Sequence, residues 1–391
     1  MPKQTKTLDE ILGEVQKHLP DLALFKEVLI ANAVMIGEIP APTGGEKQRI
    51  QFMLDRFTEE GLQSISLDEA GNAMAMIPGK NKERTTLVLA HADTPIPASV
   101  NHALTVDQDK ITGPGIADNG IGLATIASLP IILDKLNIEL EQNLILLAAK
   151  SSLGEGDLSG LRFFLENNQI PIQTALCLEG DRLGRLTYRA LGTLRGEISV
   201  HIPKDCDYAS RMATGAVDYL SQIACKINEI DVPEQPKTSI VLGSINSGSG
   251  FTRIPRSGIL RFEVNSEELE QVDRIQELIE TIVRNKSNTS NCEAKLNIIG
   301  KRNPGGLDET HPLVQTQKAI LKASDIESFT VPSSGDLSAL VDHKVPALTV
   351  GLTFGENFQE KNESVRIEPL FQGIAQVVSL LQAIDSNLCH E

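Results

Sequence analysis

The stretch Leu87-Val88-Leu89-Ala90-His91-Ala92-Asp93-Thr94 sets an unbroken apolar run directly against two metal-ligand side chains. The run predicts a buried strand over Leu87 to Ala90. His91 and Asp93 stand two positions apart, so on an extended chain they point to the same side. Outward from this stretch, Gly122 to Leu136 reads as a helix, Leu144 to Ala149 as a strand, Leu158 to Glu166 as a helix and Ala175 to Leu178 as a short strand. Alternation of this kind means a largely parallel or mixed sheet covered on both faces. Reactive groups in such sheets gather where the strands end.

Near Leu194 the rhythm changes. Strand (Gly196 to Ile202), helix (Ser210 to Asn228), strand (Ser239 to Ile245), strand (Gly258 to Val264), helix (Glu267 to Arg284) and strand (Glu293 to Ile298) follow in turn. That β-α-β-β-α-β order is the ferredoxin-like motif. Past the turn-rich Arg302-Asn303-Pro304-Gly305-Gly306, the helix Pro312 to Ala323, the strand Ala347 to Leu352 and an amphipathic helix from Glu368 to Ile384 return to the earlier style. The fold class expected is therefore α/β: a mixed-sheet domain made of residues 1–190 and 301–391, with a ferredoxin-like α+β domain inserted at 191–300. The Gly/Ser stretch Gly243 to Gly250 lacks the lysine and following helix of a phosphate loop and reads as a hairpin connection.

A chain of 391 residues suits two domains, and 41% hydrophobic with 23% charged residues is a globular composition. Lys+Arg of 36 against Asp+Glu of 52 gives a net charge of −16, which repels phosphate backbones and anionic lipid. No nucleic-acid or membrane partner is expected. The start is polar, and no apolar run is read as reaching the ~20 residues that cross a bilayer, so the expected location is the cytoplasm. Cys177, Cys206, Cys225, Cys292 and Cys389 form no pair at C-x-x-C spacing, which argues against a disulfide framework or a thiolate zinc site. The histidines are equally scattered, so a metal site must be assembled from distant segments.

Three segments offer donors. His91 with Asp93 is one; Asp118, in the bend Gly113-Pro114-Gly115-Ile116-Ala117-Asp118-Asn119-Gly120, is the second; Glu179, in Leu178-Glu179-Gly180-Asp181, is the third. Singly, each has a bland reading: a surface or capping pair, a helix N-cap, and a turn closed by glycine. Jointly, one imidazole and two carboxylates from three connections of one α/β domain match the ligand set of catalytic zinc, which keeps a further position for water.

With these residues in view, the chain resembles the family of zinc exopeptidases and amidohydrolases that includes peptidase T, aminoacylase and succinyl-diaminopimelate desuccinylase. The likeness is carried by Asp68-Glu69-Ala70-Gly71-Asn72, His91-Ala92-Asp93-Thr94, Gly113-Pro114-Gly115 through Asp118-Asn119-Gly120, Glu179-Gly180, Asn303-Pro304-Gly305-Gly306 and Ser333-Ser334-Gly335-Asp336. These run in family order from about residue 25 to 385, with the inserted domain where the family has its lid or dimerisation domain. The resemblance implies a two-metal site in which Asp118 bridges, His91 and Glu179 bind one metal and Asp93 orients His91. It also implies a homodimer, and a small peptide or acyl-amino-acid-like ligand.

Other family positions depart from the pattern. The Glu-Glu pair that supplies the general base and a ligand of the second metal aligns with Ser152 and Leu153. A shorter loop would place Gly154 and Glu155 there, which saves a ligand and still loses the base, unless Glu155 or Asp157 swings in from a shifted loop to serve as the catalytic group. The histidine of the second metal aligns with Gln359, the histidine that reaches the neighbouring subunit's site with Tyr208, and the arginine that grips substrate carboxylate with Asn265. Two functions follow as expectations: a hydrolase of small peptides or N-acyl amino acids with at most one zinc ion per chain, or a non-catalytic descendant that binds or assembles, with no ion required.

Overall fold

The computed structural model describes residues 6–203, 214–289 and 292–390. The sheet that organises the site has eight strands, in the order Gln63–Leu67, Ala73–Ile77, Gln142–Ala149, Asn81–His91, Thr174–Glu179, Ala347–Gly351, Arg185–Thr187 and Phe329–Thr330. The four central strands, from Gln142–Ala149 to Ala347–Gly351, are mutually parallel. Their near-continuous apolar sequence has a simple cause, because both faces are covered and alternation would place polar groups in a core. Val88, Ala90, Leu146, Leu176 and Leu178 point into one apolar cluster, and Leu87, Leu89, Ile145, Leu147 and Cys177 into another on the opposite face.

Parallel strands end at one edge of the sheet. His91 pairs with Ala149, and Gly351 with Glu179, so the C-terminal ends of all four central strands lie in one row. The segments that follow them carry the donors. A small antiparallel sheet, Gly355–Glu356, Ser364–Arg366, Lys110–Thr112 and Thr105–Val106, brings the chain after Gly351 beside the segment that leads into Asp118.

The stretch Ile116–Lys135 corrects one expectation: it is long and apolar enough to cross a membrane by length and composition. Of its most apolar 18-residue window, 89% is buried inside the protein, so this apolar surface packs in the core.

The described residues form two compact units, one within Met1–Arg189 and Gly306–Glu391 and the other within Ala190–Gly305. In the second unit the strands Gly192–His201, Thr238–Ser247, Ser257–Ser266 and Glu293–Arg302 and the helices Ala216–Asn228 and Leu269–Thr289 follow the β-α-β-β-α-β order. The sheet order is Thr238–Ser247, Ser257–Ser266, Gly192–His201, Glu293–Arg302, with every pairing antiparallel. Leu194, Ile198, Leu260 and Val264 from the strands pack against Leu220, Ile223, Ile275 and Ile279 from the helices. This is the ferredoxin-like arrangement, and the first unit is the mixed α/β part of the same fold class.

Candidate metal centre

His91 is the last residue of its strand and is nearly buried. Its Nε2 lies 3.0 Å from Oδ1 of Asp118. On the other side of the ring, Nδ1 lies 3.0 Å from the carbonyl oxygen of Asp93 and 3.4 Å from its carboxylate Oδ1. The backbone carbonyl is the nearer acceptor, and the carboxylate reinforces it. An acceptor on Nδ1 leaves Nε2 facing the donor set, which is how a ligating imidazole is oriented. Burial disfavours the imidazolium, but hydrogen bonds to Asp118 and Asp93 outweigh it and hold the ring well above its usual pKa.

Asp93 is fully buried, and its carboxylate is used completely. Oδ1 accepts from the Ser152 N–H at 3.1 Å, while Oδ2 accepts from the Leu153 N–H and the Thr43 hydroxyl, each at 2.8 Å. Burial pushes against ionisation, yet His91 and these donors leave Asp93 below the ordinary carboxylate range.

Asp118 sits on a turn that requires glycine at its start. Gly115 has φ of +72° in the left-handed region, and a Cβ there would lie 3.0 Å from Thr94 Oγ1. Glu363 closes the turn from the front: its Oε2 accepts from the Gly115 N–H at 2.6 Å. From behind, the Asn119 side chain donates to the Leu178 carbonyl at 2.7 Å, which ties Asp118 to the strand that ends in Glu179. Gly180 permits that approach, since a Cβ on it would stand 2.3 Å from the Ala117 carbonyl oxygen.

His91, Asp118 and Glu179 each offer a ligand atom, and the three atoms lie within 4.8 Å of one another. Packing around Glu179 and the charges of Asp118 and Asp336, only partly offset by His91 and Arg185, push its carboxyl up to about 7. Glu363 is raised to about 8 by burial and then by Asp118, against the N–H groups that it accepts from. One imidazole and several like-charged carboxylates crowded at a half-buried point form a donor set that suits a divalent ion. The residues fit the group that the resemblance implies.

The loop after Gln142–Ala149 is built differently. Asn72, fully buried, accepts from the Lys150 N–H at 2.8 Å and donates to the Gly160 carbonyl at 2.9 Å, so one side chain pins both ends of the loop. Between those ends the Ser151 N–H donates to Glu46 Oε1 at 3.1 Å, and the next two N–H groups go to Asp93. Glu155 is exposed on the short turn Gly154–Gly156 and does not belong to the group His91, Asp118 and Glu179. Asp157 is buried against Arg162, 3.1 Å away. Ser152 is buried, and Leu153 offers no donor atom in its side chain.

Gln359, exposed and in the left-handed region with φ of 62°, donates its amide to Asp118 Oδ2 at 3.4 Å. Asn265, in the second unit, accepts from the Thr193 hydroxyl at 2.9 Å and donates to Glu263 at 2.7 Å, and Glu263 is paired with Arg195. Tyr208 lies outside the described residues.

Three contributors have no role that the sequence alone assigns. Asp336 is buried and lies close enough to raise both His91 and Glu179 electrostatically, and a Cβ on the adjacent Gly335 would stand 3.9 Å from Glu179 Oε1. Its signal is the motif Ser333-Ser334-Gly335-Asp336, which the resemblance uses only as a landmark. Asn119 has the signal of adjacency to Asp118. The signal for Glu363 is the stretch Gly355 through Glu363, which the resemblance uses only to place Gln359; Glu363 ends the polar run Glu360-Lys361-Asn362-Glu363 and is the one residue of the four that is buried.

Comparisons with known proteins agree with the geometry. Residues 208–290 match the family model described as a peptidase dimerisation domain, and residues 72–175 match that of peptidase family M28. No curated protein matches the chain. Among solved structures, a tripeptidase from Staphylococcus aureus is similar with a TM-score of 0.72 at 16% identity, over 93% of this chain and 99% of that one. A di-peptidase from Saccharomyces cerevisiae gives 0.77 at 12% identity, over 98% and 99%. Human carnosine dipeptidase 1 gives 0.70 at 11% identity, over 97% and 100%. In fold the chain is similar to these peptidases over nearly its whole length, and two of its segments match peptidase family models.

Proposed function

We propose that the chain is a hydrolase-fold protein that binds one zinc ion through His91, Asp118 and Glu179 and acts slowly on the amide bonds of small peptides or N-acyl amino acids. The observation that carries this reading is the convergence of those three side chains within 4.8 Å, beside a loop whose backbone is spent on Asp93 and Glu46. Zinc, when bound, supplies Lewis-acid polarisation of a carbonyl and a lowered pKa for water. The chain's own residues do the rest. Asp93 holds His91 through Nδ1, Asn119 and Glu363 hold the turn of Asp118, and Arg185 lies near enough to temper the charge around Glu179.

The missing function is proton transfer. A positioned general base contributes about 10²–10⁴-fold in rate, and the position aligned with it carries Ser152 or, in the shorter-loop alignment, Gly154. Glu155 is turned to solvent, and Asp157 is paired with Arg162. A second ion has no better support, because Gln359 reaches Asp118 with an amide donor instead of an imidazole acceptor. The match of residues 208–290 to a peptidase dimerisation domain supports a homodimer through the inserted unit.

The same loop supports a second reading, a non-catalytic binding module. Hydrolysis separates the two. A panel of dipeptides, tripeptides and N-acyl amino acids, assayed with added zinc, cobalt or manganese, is expected to show slow turnover that His91→Ala abolishes. Ordinary peptidase rates would overturn the reading of the loop, and zinc binding with no turnover on any substrate would leave the binding module standing.

A further inference from the structure

We propose that Glu363 is a positioning residue for Asp118, holding the turn that aims this carboxylate into the donor set; the inference rests on the metal-site reading above. Glu363 is 0% exposed, whereas Glu360, Lys361 and Asn362 before it are all exposed. Burying a carboxylate is costly unless hydrogen bonds compensate it, so its inward turn needs partners. Those partners are the backbone of the Asp118 turn. The Gly115 N–H donates to Oε2 at 2.6 Å, while Oε1 is buried with no hydrogen-bond partner among the described residues.

The backbone of Glu363 grips the same segment. Its carbonyl accepts from the Gly113 N–H at 2.7 Å, and the next residue, Ser364, pairs with Thr112. One residue thus holds the turn by main chain and by side chain. Asn119 fixes the far side through the Leu178 carbonyl, so Asp118 lies between two clamps. The front clamp needs an acceptor. Glutamine keeps one acceptor oxygen but offers an NH2 group in place of the other, and alanine removes both.

The alternative is a residue that stabilises the fold and does nothing for the metal. Full-length wild type, Glu363→Gln and Glu363→Ala are compared by zinc titration calorimetry, by the visible spectrum of the cobalt(II) form and by the melting temperature of the metal-free protein. Loss of a partner around a ligand costs about 10–100-fold in metal affinity, so a Glu363→Gln protein with native circular dichroism is expected to bind zinc about 10-fold or more weakly, with an altered cobalt spectrum. Glu363→Ala is expected to lose more. If the alanine variant does not fold, the glutamine variant decides. Unchanged zinc affinity and cobalt spectrum in folded Glu363→Gln, whatever its melting temperature, would overturn the inference while leaving the metal-site reading intact. Wild type that takes up no zinc would overturn both.

Discussion

The site has two halves, and they differ in what their polar groups are used for. In one half, His91, Asp118 and Glu179 bring three donor atoms within 4.8 Å, and the surrounding hydrogen bonds from Asp93, Glu363 and Asn119 orient the donors or the turns that carry them. In the other half, the segment Ser151–Leu153 gives its backbone N–H groups to Glu46 and Asp93, and Gln359 gives its amide to Asp118. The first half presents acceptors to a cation. The second presents donors to the protein itself. An amide N–H offers no lone pair to a metal ion, so these groups cannot take the place of the acceptors in the first half.

Asp93 joins the halves, and its removal should have the largest effect. Asp93→Ala takes the carboxylate from His91 and leaves the N–H groups of Ser152 and Leu153 without their acceptor. Each buried group left unpaired costs about 1–3 kcal/mol, and the lost support for the imidazole should weaken zinc about 10–100-fold. Chemical denaturation and zinc titration measure the two effects separately. A variant with lowered stability and native zinc affinity would show that the Asp93 carbonyl alone orients the ring.

The second comparison concerns what the weaker half lacks. Gln359→His supplies an imidazole but no carboxylate, and is expected to leave the zinc stoichiometry unchanged. Gln359→His with Leu153→Glu supplies both kinds of donor, and metal analysis is expected to rise above the wild-type value. A rise in the single variant would show that Asp118 needs only one added ligand to hold another ion. The smallest effect belongs to Gln359→Ala. It removes one long, exposed hydrogen bond, and its stability should stay within about 0.5 kcal/mol of wild type by thermal or urea unfolding.

The same asymmetry decides how much of the molecule is legible in its sequence. The central strands are legible because Leu144–Ala149 and Leu87–Ala90 are apolar without a break, and the inserted α+β unit because its strands and helices alternate in period. The stretch up to Ile77 yields no element from its sequence pattern, although it holds the helices Leu8–Ala23, Lys26–Gly37 and Lys47–Glu59 and two strands of the main sheet. Lys26–Gly37 buries one face, Leu29, Asn32, Ala33, Ile36 and Gly37, but apolar Ile30, Val34 and Met35 lie outside it, so its sequence has little amphipathic period to read. The donors His91, Asp118 and Glu179 are visible as residue types after apolar runs. The groups that hold them are not. Glu363 looks like one more charge in a polar run, the Asn119 bond crosses from one segment to the carbonyl of another, and the use of the Ser152 and Leu153 backbone leaves no trace in side-chain identity.

In the proposed function, one half of this site binds metal and the other does not. The number of zinc ions per chain tests it most directly, measured by elemental analysis of the full-length protein after saturation with zinc and exhaustive dialysis. One equivalent per chain is expected, lost in His91→Ala. Two tightly held equivalents would contradict the claim and show that Gln359 and the Ser151–Leu153 loop yield a second site; none would show that the converged donors serve the fold alone.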